Sequence, residues 1–288
     1  MAVHQEHGAV LITGTSTGIG RAIALHLDRL GFWVFASVRT AQDAESLHAE
    51  ALGRLTPIQL DVTDPVSIAH ARDEISRAVG DAGLAGLVNN AGVAFQSPLE
   101  FVPLDKLRWL FEVNVFGQLA VTQMFLPLLR QVNGRIVNIS STSTIAIAPF
   151  HGPYSASKLS LNGLSHSLRQ ELKPLGIQVS IMVCGSIQTP IWDKSNTLTS
   201  RIVQSYPPQA WELYGSAFRK LQDYFVGMGQ SGIPPEVAAR AVAHALTAKR
   251  AKLIYYVGPD AYLYRIAEKL IHGRLRDWVI RRSIGIDE

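Results

Sequence analysis

A chain of 288 residues that is 47% hydrophobic and 17% charged is too apolar for a disordered polypeptide and long enough to bury a core without covalent staples. Its one cysteine, Cys184, excludes an intrachain disulfide and a cysteine-cluster metal site, and its nine histidines form no ligand-spaced pair, so no metal is expected. The formal net charge of +4 is accounted for by Arg265–Arg282, with six basic and two acidic residues; a neutral body with one basic end argues against a nucleic-acid binder, which spreads Lys and Arg over a face.

Met1–Gly8 is polar, without the basic start and apolar stretch of a secretion signal, and no later run approaches ~18 uninterrupted apolar residues, so a cytoplasmic protein is expected. From Ala9 onward, short apolar runs alternate with longer helical stretches. Ala9–Thr13, Trp33–Val38, Thr56–Leu60, Gly86–Asn89, Arg135–Ile139, Gln178–Val183 and Leu253–Val257 read as strands. Most are apolar on successive residues, as when helices cover both faces. Ile19–Leu30, Pro65–Val79, Leu104–Gln131, Tyr154–Leu175 and Pro235–Thr247 read as helices, with Pro127 expected to kink or divide the third. Such alternation implies right-handed crossovers and a parallel sheet. The expected fold is therefore α/β, a doubly wound (Rossmann) parallel sheet of about seven strands in one domain over residues 1–288. Pro190–Gly232 breaks the alternation, is too long for an ordinary connection, and is expected to form a helical lid.

The first strand runs directly into Thr13-Gly14-Thr15-Ser16-Thr17-Gly18-Ile19-Gly20 and then a helix. Glycines at that turn let backbone approach a pyrophosphate, and free N–H groups at the helix start attract its charge. Gly14, Thr15, Ser16, Thr17, Gly18, Ile19 and Gly20 are thus candidate cofactor residues. NAD-binding folds carry an acid about 20 residues further on for the ribose 2′-hydroxyl. Here no acid occurs between Asp28 and Asp43; Val38 stands near that place and Arg39 follows. A guanidinium suits a 2′-phosphate, so NADP(H) is the expected cofactor.

Further along come Asn89-Asn90-Ala91-Gly92, Asn114, Ser141 and Tyr154-x-x-x-Lys158. Tyr154 and Lys158, four apart on a predicted helix, share a face. A phenol with a reference pKa of ~10 needs ~4 kcal/mol to reach ~7, and a nearby ammonium together with the positive ring of an oxidised nicotinamide pushes in that direction. In this order and spacing the motifs resemble the short-chain dehydrogenase/reductase family in its single-domain form, over roughly Ala9–Pro190 and more weakly to Gly258, with features similar to the retinol and 17β-hydroxysteroid dehydrogenase branch. The resemblance implies that Tyr154 is the general acid/base and that Lys158 also holds the nicotinamide ribose. It implies that Ser141, thirteen residues before the tyrosine and so chosen over Ser140, hydrogen-bonds the reacting oxygen, and that Asn114 holds a relaying water. Asn90, with Ala91 and Gly92, would shape the cofactor floor, the Asn90 side chain bracing neighbouring strands. Asp61 and Val62 would contact the adenine, and Ile187 and Thr189 the nicotinamide end. Cys184-Gly185 stands where the family usually has Pro-Gly, which leaves the rigidity of that turn open. A homodimer or homotetramer is the expected assembly.

The expected activity is NADP(H)-linked interconversion of an alcohol and its ketone or aldehyde. A reductase of small ketones, a non-catalytic NADP-binding scaffold and a sugar-nucleotide epimerase are alternatives; the intact Tyr154, Lys158, Ser141 and Asn114 speak against the scaffold. Pro190–Met228 holds seven of the chain's 23 aromatic residues, Trp192, Tyr206, Trp211, Tyr214, Phe218, Tyr224 and Phe225, and Phe95 and Phe150 are expected at the same crevice. Aromatic walls suit a bulky, steroid- or retinoid-like substrate, with packing of the lid onto the body as the other use for these rings. Finally, Tyr262, Ile266, Lys269, Leu270, Ile271, Leu275, Trp278 and Val279 recur at roughly helical spacing, interrupted by Gly273. Such an amphipathic tail over residues 260–288 suits peripheral contact with a membrane surface, or packing on its own domain or a second subunit.

Overall fold

The computed structural model describes residues 7–286, so residues 1–6 and 287–288, parts of the two terminal segments read above, lie outside it. The apolar runs become β1 (Ala9–Ile12), β2 (Trp33–Val38), β3 (Leu55–Gln59), β4 (Gly86–Asn89), β5 (Arg135–Ser141), β6 (Gln178–Cys184) and β7 (Ile254–Val257). They form one parallel sheet in the order β3-β2-β1-β4-β5-β6-β7. The helices are α1 (Gly18–Arg29), α2 (Ala41–His48), α3 (Pro65–Val79), α4 (Leu104–Phe111), α5 (Gly117–Gln131), α6 (Gly152–Leu172), α7 (Ile191–Val203), α8 (Pro208–Ser231), α9 (Glu236–Thr247), α10 (Pro259–Leu270) and α11 (Gly273–Ile284).

Side chains alternate across a strand, so each strand feeds two cores. In β1, Val10 and Ile12 pack with Ile23 and Leu27 of α1 and Val242 of α9. Ala9 and Leu11 pack on the other face with Ile68 and Ile75 of α3 and Phe125 and Leu129 of α5. This two-sided burial is why the strands read as continuous apolar runs. The order reverses between β1 and β4, and ligands of such sheets bind at the carboxyl ends beside that switch point.

Two details differ from the expectation. The stretch Leu104–Gln131 is interrupted at Glu112–Phe116 by a π-helical turn, while Pro127 lies inside an unbroken α5. Phe125, Leu128 and Leu129 around that proline are buried, and their packing offsets the missing backbone bond. The short α2 was not foreseen; Thr40 caps it, its hydroxyl accepting from Asp43 N at 3.1 Å.

Pro190–Gly232 forms α7 and α8, closed at its base by a bridge between Ile187 and Ile233. α7 is pinned to the loop after β4: Gln96 N donates to Thr199 Oγ1 (3.0 Å) and Gln96 Nε2 to Ser195 Oγ (3.1 Å), all buried. The basic tail is two helices, α10 and α11. Ile284, with Ile280 beside it, packs against Leu221 and Phe225 of α8. Among the described residues no helix is long and apolar enough to cross a membrane.

Candidate active site

The glycine turn after β1 is held from both sides. Gly14 N donates to Ser37 Oγ (3.0 Å) and Thr15 Oγ1 to Ser37 O (2.8 Å), which ties the turn to β2. Asn90 Nδ2 donates to the carbonyls of Thr13 (2.9 Å) and Gly14 (3.0 Å), so the Asn90 side chain ties it to the loop after β4. Gly14 has a φ of +70° and a Cβ there would lie 2.8 Å from Ala91 Cα; Gly18, at +60°, would carry one 3.1 Å from Thr189. Only glycine meets both demands, strain and closeness, at these two points. α1 then begins with no side-chain cap and no acid in its first turn, which leaves its first N–H groups for an anion.

Around this turn runs a cavity of about 320 Å³. Of the residues expected to bind the cofactor, Gly14, Ser16, Thr17, Gly18, Ile19, Gly20, Arg39, Asp61, Val62, Asn90, Ala91, Gly92, Ile187 and Thr189 line it. Thr15 does not; it is fully buried beneath the turn. Arg39 is exposed at the rim, and no salt bridge engages it among the described residues. Asp61 uses Oδ1 internally, accepting from Thr63 N (2.9 Å) and Oγ1 (2.7 Å). The cradle fits a dinucleotide: uncapped N–H groups at the start of α1, an oriented carboxylate, and Gly92, where a Cβ would sit 3.3 Å from Asn114 Oδ1 and 3.5 Å from Lys158 Nζ.

The chemistry-bearing side chains meet at the far side of Gly92. Asn114 sits in the π turn, fully buried, with Nδ2 donating to Val93 O (2.9 Å) and Ser157 Oγ (3.0 Å) and Oδ1 accepting from Val93 N (2.9 Å). The extra residue of a π turn re-aims a side chain inside an otherwise regular helix, and such turns cluster at functional sites. On α6, Tyr154 and Lys158 share a face, with Lys158 Nζ 5.8 Å from the Tyr154 ring centre and donating to Ile139 O at 2.9 Å. Desolvation pushes the Tyr154 phenol up to about 12, against the opposing pull of the nearby Ser141 hydroxyl, which itself donates to Ser143 Oγ at 3.1 Å. Burial also brings Lys158 down to about 8. The expected lowering of Tyr154 by Lys158 therefore does not arise from the chain alone: the phenolate loses more in leaving water than it gains from its neighbours. Tyr154 is a neutral, protonated donor at neutral pH. Ser140 lines the same wall, but its Oγ is buried without a partner.

The turn after β6 is not loosened by Cys184. Ser186 N donates to Asp260 Oδ2 (2.6 Å), Gly185 N to Val257 O (2.9 Å), Ile233 N to Ser186 O (2.9 Å) and Gln188 N to Ile233 O (2.9 Å). Bonds from the start of α10 and from residue 233 stiffen it in place of a proline ring. Asp260 was not singled out from the sequence, because nothing local marks a carboxylate that acts 74 residues upstream. Lys194, also missed, reaches from the first turn of α7 to Thr17 Oγ1 at 2.9 Å, which puts an ammonium beside the glycine turn. Its signal was a basic residue one helical turn beyond Thr189-Pro190.

The lid aromatics divide. Trp192 and Phe225 line the cavity, with Met228, Trp109 and His151. Tyr206 bonds Ser97, Tyr214 bonds Glu100 at 2.7 Å, and Phe218 packs edge-on against Phe150, so these rings join lid to body. Phe95 and Phe150 are not at the crevice as expected. Phe95 is fully buried with Leu110 and Ile202, and Phe150, at φ +61°, turns toward α8.

The profile of the family described as short chain dehydrogenase matches residues 8–199. The chain is 34% identical to the NADPH-dependent 3-dehydrocapnine reductase of Ornithobacterium rhinotracheale, over 95% of this chain and 96% of that protein. It is 35% identical to estradiol 17-beta-dehydrogenase 2 of Mus musculus, over 96% of this chain and 75% of that protein. A solved short-chain dehydrogenase from Streptomyces avermitilis superposes with a TM-score of 0.77 at 28% identity, covering 99% of this chain and all of the other. Motifs, sheet order and these likenesses converge: the chain belongs to the short-chain dehydrogenase/reductase family, oxidoreductases that work with a nicotinamide cofactor.

Proposed function

We propose that the protein interconverts an alcohol and its ketone or aldehyde with NADP(H), on a bulky lipophilic substrate. The observation that carries this reading is that Tyr154, Ser141 and Lys158 line one cavity together with the apolar side chains Trp192, Phe225 and Met228. When bound, the cofactor supplies the hydride chemistry. Ser141 orients the substrate oxygen, Tyr154 gives it a proton in reduction and takes one in oxidation, and Lys158 holds the cofactor ribose. Asn114 keeps the Val93 backbone in register beside them. Gly14, Ser16, Thr17, Gly18, Ile19, Gly20, Asn90, Ala91, Gly92, Thr189 and Lys194 bind the cofactor. Arg39, which no salt bridge engages among the described residues, supports NADP(H), as does the NADPH dependence of the Ornithobacterium relative.

The test is a panel of steroids, retinoids, small ketones and polyols with both cofactors, followed by absorbance of the reduced nicotinamide. Turnover should favour the large apolar compounds and NADP(H). Polyols or small ketones that match them in kcat/KM overturn the lipophilic reading, and equal kcat/KM with NAD(H) overturns the cofactor choice.

The basic tail supports a second surface. The outer side of α10 and α11 leaves Leu263, Ile266, Leu270, Leu275 and Trp278 exposed, flanked by Arg265, Lys269, Arg274 and Arg276. Apolar residues bordered by cations suit an anionic lipid surface, from which a lipophilic substrate also comes.

A further inference from the structure

His151 lies three residues before Tyr154, at the N-cap of α6. The residue is only 6% exposed yet lines the cavity. It is held between Tyr154, with ring centres 4.9 Å apart, and Phe225 of the lid, at 4.7 Å. Nδ1 is buried and has no hydrogen-bond partner. Burial lowers the imidazole to about 4, so it is neutral at physiological pH. A neutral imidazole offers one donor and one acceptor nitrogen. An idle buried polar atom is destabilising, and a phenylalanine would fill the same stack without that cost. The neighbouring wall of Trp192, Phe225 and Met228 gives it nothing to bond. With Ser141 and Tyr154 assigned to the reacting oxygen in the reading above, the bonding capacity of His151 is left for another group beside it.

We propose that His151 is a specificity-determining residue that hydrogen-bonds a second oxygen of the substrate, carried close to the reacting carbon, so that the preferred substrates are acyloins, diols and similar doubly oxygenated groups on a lipophilic skeleton. This rests on the alcohol–carbonyl reading above and narrows its substrate class. Contact between the His151 and Tyr154 rings sets the second oxygen next to the first. A site built to bond a polar group discriminates strongly against the analogue that lacks it, because its own buried polar atom is then left unpaired.

The test compares a long-chain methyl ketone with the acyloin of the same chain length. Both are assayed with NADPH on the wild type, His151→Phe and His151→Gln, and both are titrated as ligands of the NADP-loaded protein by quenching of tryptophan fluorescence. NADP binding by each variant reports that it is folded. The wild type should prefer the acyloin by about tenfold or more in kcat/KM and in Kd, the equivalent of one hydrogen bond. His151→Phe should lose that ratio, and His151→Gln, which keeps a donor and an acceptor, should recover part of it. No preference in the wild type, a ratio unchanged in His151→Phe, or a parallel fall on both ligands overturns the proposal; the last would make His151 a support for Tyr154. If the wild type reduces neither compound but binds the acyloin preferentially in a His151-dependent way, the reaction reading fails and the subsite stands.

Discussion

The two ends of the cavity are built by different means. At the cofactor end, short contiguous motifs bond to one another: Thr13 Oγ1 accepts from the backbone of Asn90 and Ala91, and Asn90 returns two bonds to Thr13 and Gly14. At the substrate end, Trp109, His151, Trp192, Phe225 and Met228 come from four separate stretches of chain, and His151, Phe225 and Trp192 meet through ring contacts. Directional bonds fix positions to fractions of an ångström, as transfer chemistry requires, while ring packing tolerates exchange of shape. Substitutions at the first end should therefore remove turnover for every substrate, and substitutions at the second should change which substrate is used.

The sharpest test of the first half is Tyr154→Phe. In the proposed reaction the buried phenol is the proton donor, so turnover should fall by at least ~10²–10⁴-fold on every substrate. Binding of NADP(H), followed by fluorescence, should stay near normal. A near-normal kcat would mean the proton comes from elsewhere and would end the division drawn here.

The second half has a pH signature. His151 has a folded pKa of about 4 against a reference of 6.5. Between those values the unfolded chain binds a proton that the native protein refuses, so stability is fully present above pH ~6.5 and is lost as pH falls through ~4. The loss amounts to roughly 3 kcal/mol, at ~1.4 per unit. Thermal unfolding across this range should show the fall in the wild type and a flatter profile in His151→Phe. Parallel profiles would mean that the ring takes up its proton without penalty.

Asp260 joins the two halves, since the turn it holds carries Ile187 and Thr189. Asp260→Asn takes away a charged acceptor from Ser186 N and should cost about 1–3 kcal/mol. Because the turn belongs to the cofactor end, Kd for NADP(H) should rise while the ranking of substrates stays. An unchanged melting temperature and Kd would show that the pairings with Ile233 suffice.

How much was legible follows the same division. The strands, the sheet class and the glycine turn could be read because each is encoded within a few neighbouring residues. Tyr154 and Lys158 could be paired because a helix places positions four apart on one face. The π turn at Asn114 could not, since what stabilises it is the Val93 backbone, 21 residues away. Asp260 and His151 were invisible for a related reason: their partners lie far along the chain, or their importance lies in a bond left unmade. Aromatic enrichment in the lid was a real signal with a mixed meaning, because Tyr214 and Phe218 join the lid to the body while Trp192 and Phe225 face the cavity. The Thr40–Asp43 cap of α2 is a local signal of the same kind, a threonine accepting from the backbone three residues on.

Arg39→Ala tests cofactor choice at the rim. The side chain is exposed, so its bond to a phosphate is screened and worth less than a buried pair. A selective loss of about tenfold in NADP(H) affinity is expected, with NAD(H) affinity unchanged. Equal effects on both cofactors would assign Arg39 to general charge rather than to the 2′-phosphate.

The smallest effect is expected at the tail, and there the comparison extends beyond the cavity. α11 turns Ile284 inward onto α8, where Leu221 and Phe225 receive it, so its inner side packs behind a residue of the cavity wall. Its outer side continues the stripe of α10, with Leu270 at 75% exposure and Trp278 at 45%. Each cation near an anionic surface contributes about 1 kcal/mol, and that share fades with salt, whereas the apolar share does not. Leu270→Ser with Trp278→Ser should therefore lower flotation with phosphatidylserine vesicles several-fold, and raised salt should weaken the wild type further. Turnover of a water-soluble ketone should not change, since neither residue lines the cavity. Equal flotation of variant and wild type would remove the lipid surface. A wild type that fails to float but sediments as a dimer, which the variant loses, would assign the stripe to a second copy of the chain.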